Sequence, residues 1–172
     1  MLADVLQQFY RYNSWATSRV LDAAENLTAE QLHAPGAAGH GSIRDTLVHM
    51  MAAHRGWLSW WDGSMSPAAA YGLKMDPADY PDIAALRAAW REIDQQTEKF
   101  VSGLTDADPA RNYAADMGNG QSWGMPLWGM MLHVANHGTQ HRAEAAAMLT
   151  GFGHSPGNLD LLYFLEAPTT KP

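Results

Sequence analysis

The sequence predicts an all-α protein, an antiparallel four-helix bundle with a short extra helix near its C-terminal end. Three observations carry that prediction. Four long stretches repeat apolar residues at three- and four-residue steps, segments rich in glycine and proline separate them, and no convincing pair of alternating strand-like runs occurs. From Leu2 to about Leu27, residues Leu2, Val5, Leu6, Phe9, Tyr12, Ala16, Val20 and Leu21 form one apolar stripe. "HAPGAAGHGS" (33–42) must turn, and Ser42 is a suitable N-cap for a second helix that stops near Gly63. A Pro-, Ala- and Gly-rich loop follows from Ser64 to Pro81, with a short helical turn expected at "DPADY".

The third helix opens at Asp82, keeps Ile83, Leu86, Trp90, Ile93, Thr97, Phe100 and Val101 at helical spacing, and ends near Gly103. "TDADPARNYAADMGNGQSW" is full of turn residues; a short extended piece at 112–117 is expected there, but no sheet. The fourth helix runs from about Pro126 to Thr150, where "GFGHSPG" ends it, and "NLDLLYFLEA" has a helical pattern.

A chain of 172 residues is expected to form a single domain over 1–172. Eleven Lys and Arg against 18 Asp and Glu give a net charge of −7, and without a basic cluster phosphate backbones are poorly attracted, so no nucleic-acid partner is expected. Cysteine is absent, which excludes disulfides, thiolate ligands and a cysteine nucleophile; any metal must be held by nitrogen or oxygen. No apolar run is long enough to cross a bilayer, and "MLADVLQQFYRYN" does not resemble a signal peptide, so no membrane partner and a cytoplasmic location are expected.

The chemistry concentrates in "HVANHGTQHRAE" (133–144). Residues four apart on a helix differ by about 40° and stand one turn apart, so His133, His137 and His141 form one stripe. Two imidazoles at that spacing can reach one metal ion, and the spacing allows either 133/137 or 137/141. The peptidase pattern H-E-x-x-H is absent, because Gly138 follows His137. Glu144, three residues after His141, is a candidate ligand, a partner for a ligand's N–H, or a catalytic base.

A third ligand should come from a facing helix, where His49 and His54 are the candidates; they lie about 140° apart and cannot both face one site easily. Asp45, four residues before His49, can orient it or simply sit in the first helical turn. His33, His40 and His154, all in loop-like stretches, read as structural, as do His54 and, by a smaller margin, His133. Trp57, Trp60 and Trp61, with Met50, Met51, Met130 and Met131, read as core, although an apolar wall beside a polar centre is also what ligand pockets use.

Three stretches resemble the DinB/YfiT-like family of metal-dependent enzymes: "YNSWATSRVLDAAENLTAEQL", "GSIRDTLVHMMAAHRGWL" and "LWGMMLHVANHGTQHRAEAAAMLTGFGHSPGNLDLLYFL". That resemblance implies a four-helix bundle holding a divalent metal, commonly zinc or nickel, on one histidine of the second helix and two of the fourth. By position these are His49, His137 and His141. Where family members often read "HRGQ", this chain reads "HRAE", so Arg142 matches while Ala143 and Glu144 differ; Gln140 stands where a second histidine is common. Three imidazoles leave a position open for water or a thiol, and the resemblance implies thiol-dependent S-transfer or detoxification of a small molecule, with a low-molecular-weight thiol as cosubstrate. Metal-dependent hydrolysis and a non-catalytic metal-binding bundle, closed by Glu144, are the alternatives. The resemblance and the aromatic second helix also suggest a homodimer.

Overall fold

The computed structural model describes residues 1–116 and 122–166. Its frame is four long helices: α1 (Leu2–Ala24), α3 (Ile43–Trp61), α5 (Ile83–Ser102) and α6 (Leu127–Gly151). Between them lie the short helices α2 (Ala29–His33) and α4 (Pro67–Tyr71), and α7 (Leu161–Glu166) follows the bundle. The starts obey capping chemistry: Ser42, Ser66 and Asp82 accept from the backbone N–H three residues on, and Thr28 and Gln31 form a reciprocal capping box.

Which ends share a core cluster fixes the helix directions. One cluster joins Val20 and Leu21 of α1 to Ile43 and Leu47 of α3, Leu86 and Trp90 of α5, and Ala145 and Leu149 of α6. The other joins Leu6 and Tyr10 to Leu58 and Trp61, Val101, and Leu127 to Val134. Thus α1 and α6 run one way and α3 and α5 the other, and the segment 62–82 must travel the length of the bundle. Helix α6 packs against both α1 and α3, so its two faces look onto different neighbours. No helix among the described residues is long and apolar enough to cross a membrane.

Two local expectations change. The long loop contains α4, started by Ser66 and Pro67. The expected absence of a sheet is also corrected: Asn112–Asp116 (β1) pairs antiparallel with Ser122–Pro126 (β2). Neither strand has a strong alternating pattern, because the pair is supported from outside, with β1 against α4 and β2 against α6. Gly124 permits the pairing, since a Cβ there would lie 2.9 Å from the Tyr113 carbonyl oxygen.

Gly56 fixes the approach of α4 to α3. A Cβ at this position would meet the Ala70 carbonyl oxygen at 2.5 Å, a backbone atom that cannot rotate away. Gly56→Ala should therefore cost about 1–3 kcal/mol, the usual range for overpacking, read as a lower urea midpoint with an unchanged slope. A variant as stable as the parent would show that α4 is not held at this distance.

Candidate metal centre

Helix α6 carries two histidines of the site, with Gln140 and Glu144 beside them. His137 and His141 point toward α3, and one turn of backbone between them lets both imidazoles reach the same place. His49, early in α3, meets them because α3 and α6 run in opposite directions. The Nε2 atoms of His49 and His137 are 3.1 Å apart, and so are those of His141 and His137. His40 joins from the turn before α3: its ring stacks on His49 with centroids 3.5 Å apart and stands 5.1 Å from His141. One ring nitrogen from each of His40, His49 and His141 lies within 4.8 Å of the other two, a grouping able to hold a metal ion.

The sequence reading missed His40 by treating it as a structural loop residue. Its place depends on a turn in which Gly39 and Gly41 take φ values of 70° and 110°, conformations that favour glycine, while its own N–H donates to Thr46 Oγ1. The bracket "GHGS" directly before a helix cap was the available signal.

The electrostatics favour lone pairs over protons. Burial, followed by the neighbouring histidines, pushes His49 and His137 down to about 4, and burial with the nearby His141 lowers His40 as well. At neutral pH these rings are uncharged and able to donate a lone pair. Glu144 completes the arrangement on the outer side: its Oε2 lies 2.6 Å from His141 Nδ1, and its Oε1 accepts from Gln140 Nε2. A carboxylate there makes Nδ1 the protonated nitrogen and turns the Nε2 lone pair inward. Although desolvation opposes it, hydrogen bonds from Gln140 and His141 keep the Glu144 carboxyl below its ordinary value.

The remaining candidates lie elsewhere. His54 is buried between α1 and α5, hydrogen-bonded to Thr97 Oγ1 and edge-on to Tyr10 and Trp90. His133 is exposed and packs edge-on against Trp57. His33 lies 3.1 Å from the Pro81 carbonyl oxygen. Arg142 faces α1 and is buried, with its guanidinium on Asn13, Thr17 and Thr139, all neutral partners. Gly138 leaves room for it, since a Cβ there would stand 2.8 Å from Arg142 Nη1.

A family model described as the DinB family matches residues 1–171. The chain belongs to the DinB family. Among its DinB relatives, "Protein DinB" of Bacillus subtilis (strain 168) is 25% identical over 175 residues, covering 99% of each chain. A solved DinB-like protein from Bacillus cereus ATCC 10987 superimposes with a TM-score of 0.66 over 89% of this chain and 94% of its own. At 19% identity that likeness concerns the fold.

The donor set of this DinB-family chain fits a divalent ion. Two nitrogens each about 2.0–2.1 Å from one ion at near-tetrahedral or right angles stand roughly 3 Å apart, which matches the spacing on both sides of His137. Glu144→Gln should keep the fold and weaken metal binding by roughly tenfold or more, the usual effect of removing a partner of a ligand histidine. Competition against a chromophoric chelator measures this, and unchanged affinity would remove Glu144 from the site.

Proposed function

We propose that the chain is a divalent-metal-dependent enzyme whose ion is zinc or nickel, held by His49, His137 and His141, and that it transfers a low-molecular-weight thiol to a small-molecule substrate. The observation that supports this most is the approach of the His49 and His141 Nε2 atoms to that of His137, with a carboxylate orienting His141 from behind. When bound, such an ion supplies Lewis acidity that acidifies a thiol or a water at neutral pH. The chain's own residues do the rest. Glu144 fixes the tautomer of His141, Gln140 holds Glu144, and the indoles beside His49 and His137 limit the entry of water. Hydrolysis by the same centre is the runner-up reaction.

A non-catalytic site is the second reading, and His40 is the observation that favours it. His40, His49 and His141 form a second three-nitrogen grouping that shares two histidines with the first, and a ligand added from the turn before α3 is one that can close a metal site. Cobalt substitution separates the two. After removal of metal by a chelator, the protein is expected to take up one Co²⁺, and 2-mercaptoethanol should then add a thiolate-to-cobalt absorption band. Uptake without any spectral response to thiol would favour the closed site, and no uptake at micromolar metal would sink both readings. We further propose a homodimer, supported by exposed Leu2 and Val5 on α1 and Trp128 and Leu132 on α6; sedimentation mass checks it.

A further inference from the structure

The histidine cluster opens on a groove lined by aromatic and small side chains. A chamber of about 330 Å³ begins at His49 and His137 and is walled by Trp57, Trp60 and Tyr71. Those three aromatics also line a larger open chamber of about 800 Å³, together with Trp123, Met125 and His133. Among the described residues that line the two chambers, none is Asp, Glu, Lys or Arg, in a chain whose net charge is −7. The larger volume lies in the range that encloses a small organic molecule.

The indoles also define the shape of what fits. Trp57 and Trp60 stack at 5.6 Å with 22° between planes, and Trp123 closes on them at 5.8 and 5.5 Å. Rings packed on one another form a wall. They do not spread around a central void, as a cage for a cation requires. A flat uncharged ring can stack on such a wall and gain apolar burial as well as ring contact. A carboxylate or ammonium would lose water there without a partner.

We infer that the groove formed by α3, α4 and the β1–β2 pair binds the uncharged aromatic portion of the substrate and directs its reacting end to the histidine cluster. This rests on the proposed metal centre for the reacting end only; the groove itself is independent of metal. Its three sides explain why Gly56 must hold α4 close and why the strand pair stands where it does.

The test uses the full-length protein stripped of metal, with 2-naphthol, 2-naphthoate and 2-naphthylmethylammonium as probes, followed by tryptophan fluorescence and calorimetry. The neutral probe should bind at least about tenfold more tightly than either charged one, a difference of about 1.4 kcal/mol. Trp57→Ala and, on a separate element, Trp123→Ala should each weaken it severalfold while Co²⁺ uptake is retained. Equal or tighter binding of a charged probe, or unchanged binding in both variants, overturns the inference. So does a dimer that Trp123→Ala converts to monomer, because the groove would then be covered by a second copy. Naphthol binding by a protein that takes up no metal would defeat the proposed function and leave this inference standing; metal uptake without naphthol binding would do the reverse.

Discussion

His137→Ala is expected to lower divalent-metal affinity by more than about 100-fold, beyond the range seen when only a ligand's outer partner is lost. His137 is the shared vertex of the cluster, with Nε2 at 3.1 Å from both His49 and His141, so its loss removes the one nitrogen that stands close to both. His133→Ala should change affinity by no more than a small factor, because His133 packs on Trp57 and faces solvent. The same comparison can be read as stability. An ion present at about 100 times its dissociation constant adds about 2.7 kcal/mol to the folded state, so zinc should raise the melting temperature of the parent and of His133→Ala but not of His137→Ala. Comparable losses at both positions would mean that the metal occupies the other end of the histidine stripe.

The second large effect lies on the opposite face of the bundle. Asp94 on α5 is half-buried beside Ser14, His54 and Thr97, and burial pushes its carboxyl from the ordinary 3.8 up to about 6, against a hydrogen bond from Ser14. A carboxyl raised on folding favours the folded state below its unfolded value, and that contribution is lost as pH rises through the folded value. Asp94 therefore costs stability at pH 7 and not at pH 3.5. Each pH unit of that window is worth about 1.4 kcal/mol, and partial solvent exposure reduces the total, leaving about 2 kcal/mol.

Asp94→Asn, whose side-chain oxygen can still accept from Ser14, should gain that amount in urea unfolding at pH 7 and almost nothing at pH 3.5. His54 has the opposite slope. Burial, then the nearby Arg142 charge, holds it at about 4 against an ordinary 6.5, so its contribution is present above 6.5 and lost as pH falls through 4. In the Asp94→Asn variant that acid loss is no longer offset, and the decline from pH 7 to pH 4 should steepen. An equal gain at both pH values would show that the substitution acts through packing.

The parts of this structure that were legible in the sequence are those set by local periodicity. The four long helices follow from repeats of three and four, and the stripe of His137 and His141 follows from the same arithmetic. Spacing could not choose between His133 and His141, because the choice depends on which face of α6 meets α3. Helix α4 was hidden in a Pro- and Ala-rich stretch, and the strand pair in a segment that gains its support from other elements. The tryptophans divide in a way that composition does not show: Trp61 is 3% exposed in the core, whereas Trp57 and Trp60 are half-buried and form the groove with Trp123. Asp94 owes its environment to Ser14 and His54 on other helices, which no window of sequence contains, and His40, although its turn is local, meets His141 only through the packing of α3 on α6.

The neighbouring positions of α1 and α6 have a consequence for biosynthesis. Tyr10 bonds to the Met131 carbonyl, Asn13 to Arg142, and Tyr12 to the Leu159 carbonyl, separations of 121, 129 and 147 residues. During translation at about 5–20 residues per second, the first helix emerges many seconds before the partner that covers it. Such long-range closure is slow, and the exposed stripe of Leu6, Tyr10 and Val20 must be shielded meanwhile. His137 and His141 leave the ribosome at the same late stage, so the histidine cluster and the apolar core are completed by the arrival of a single helix.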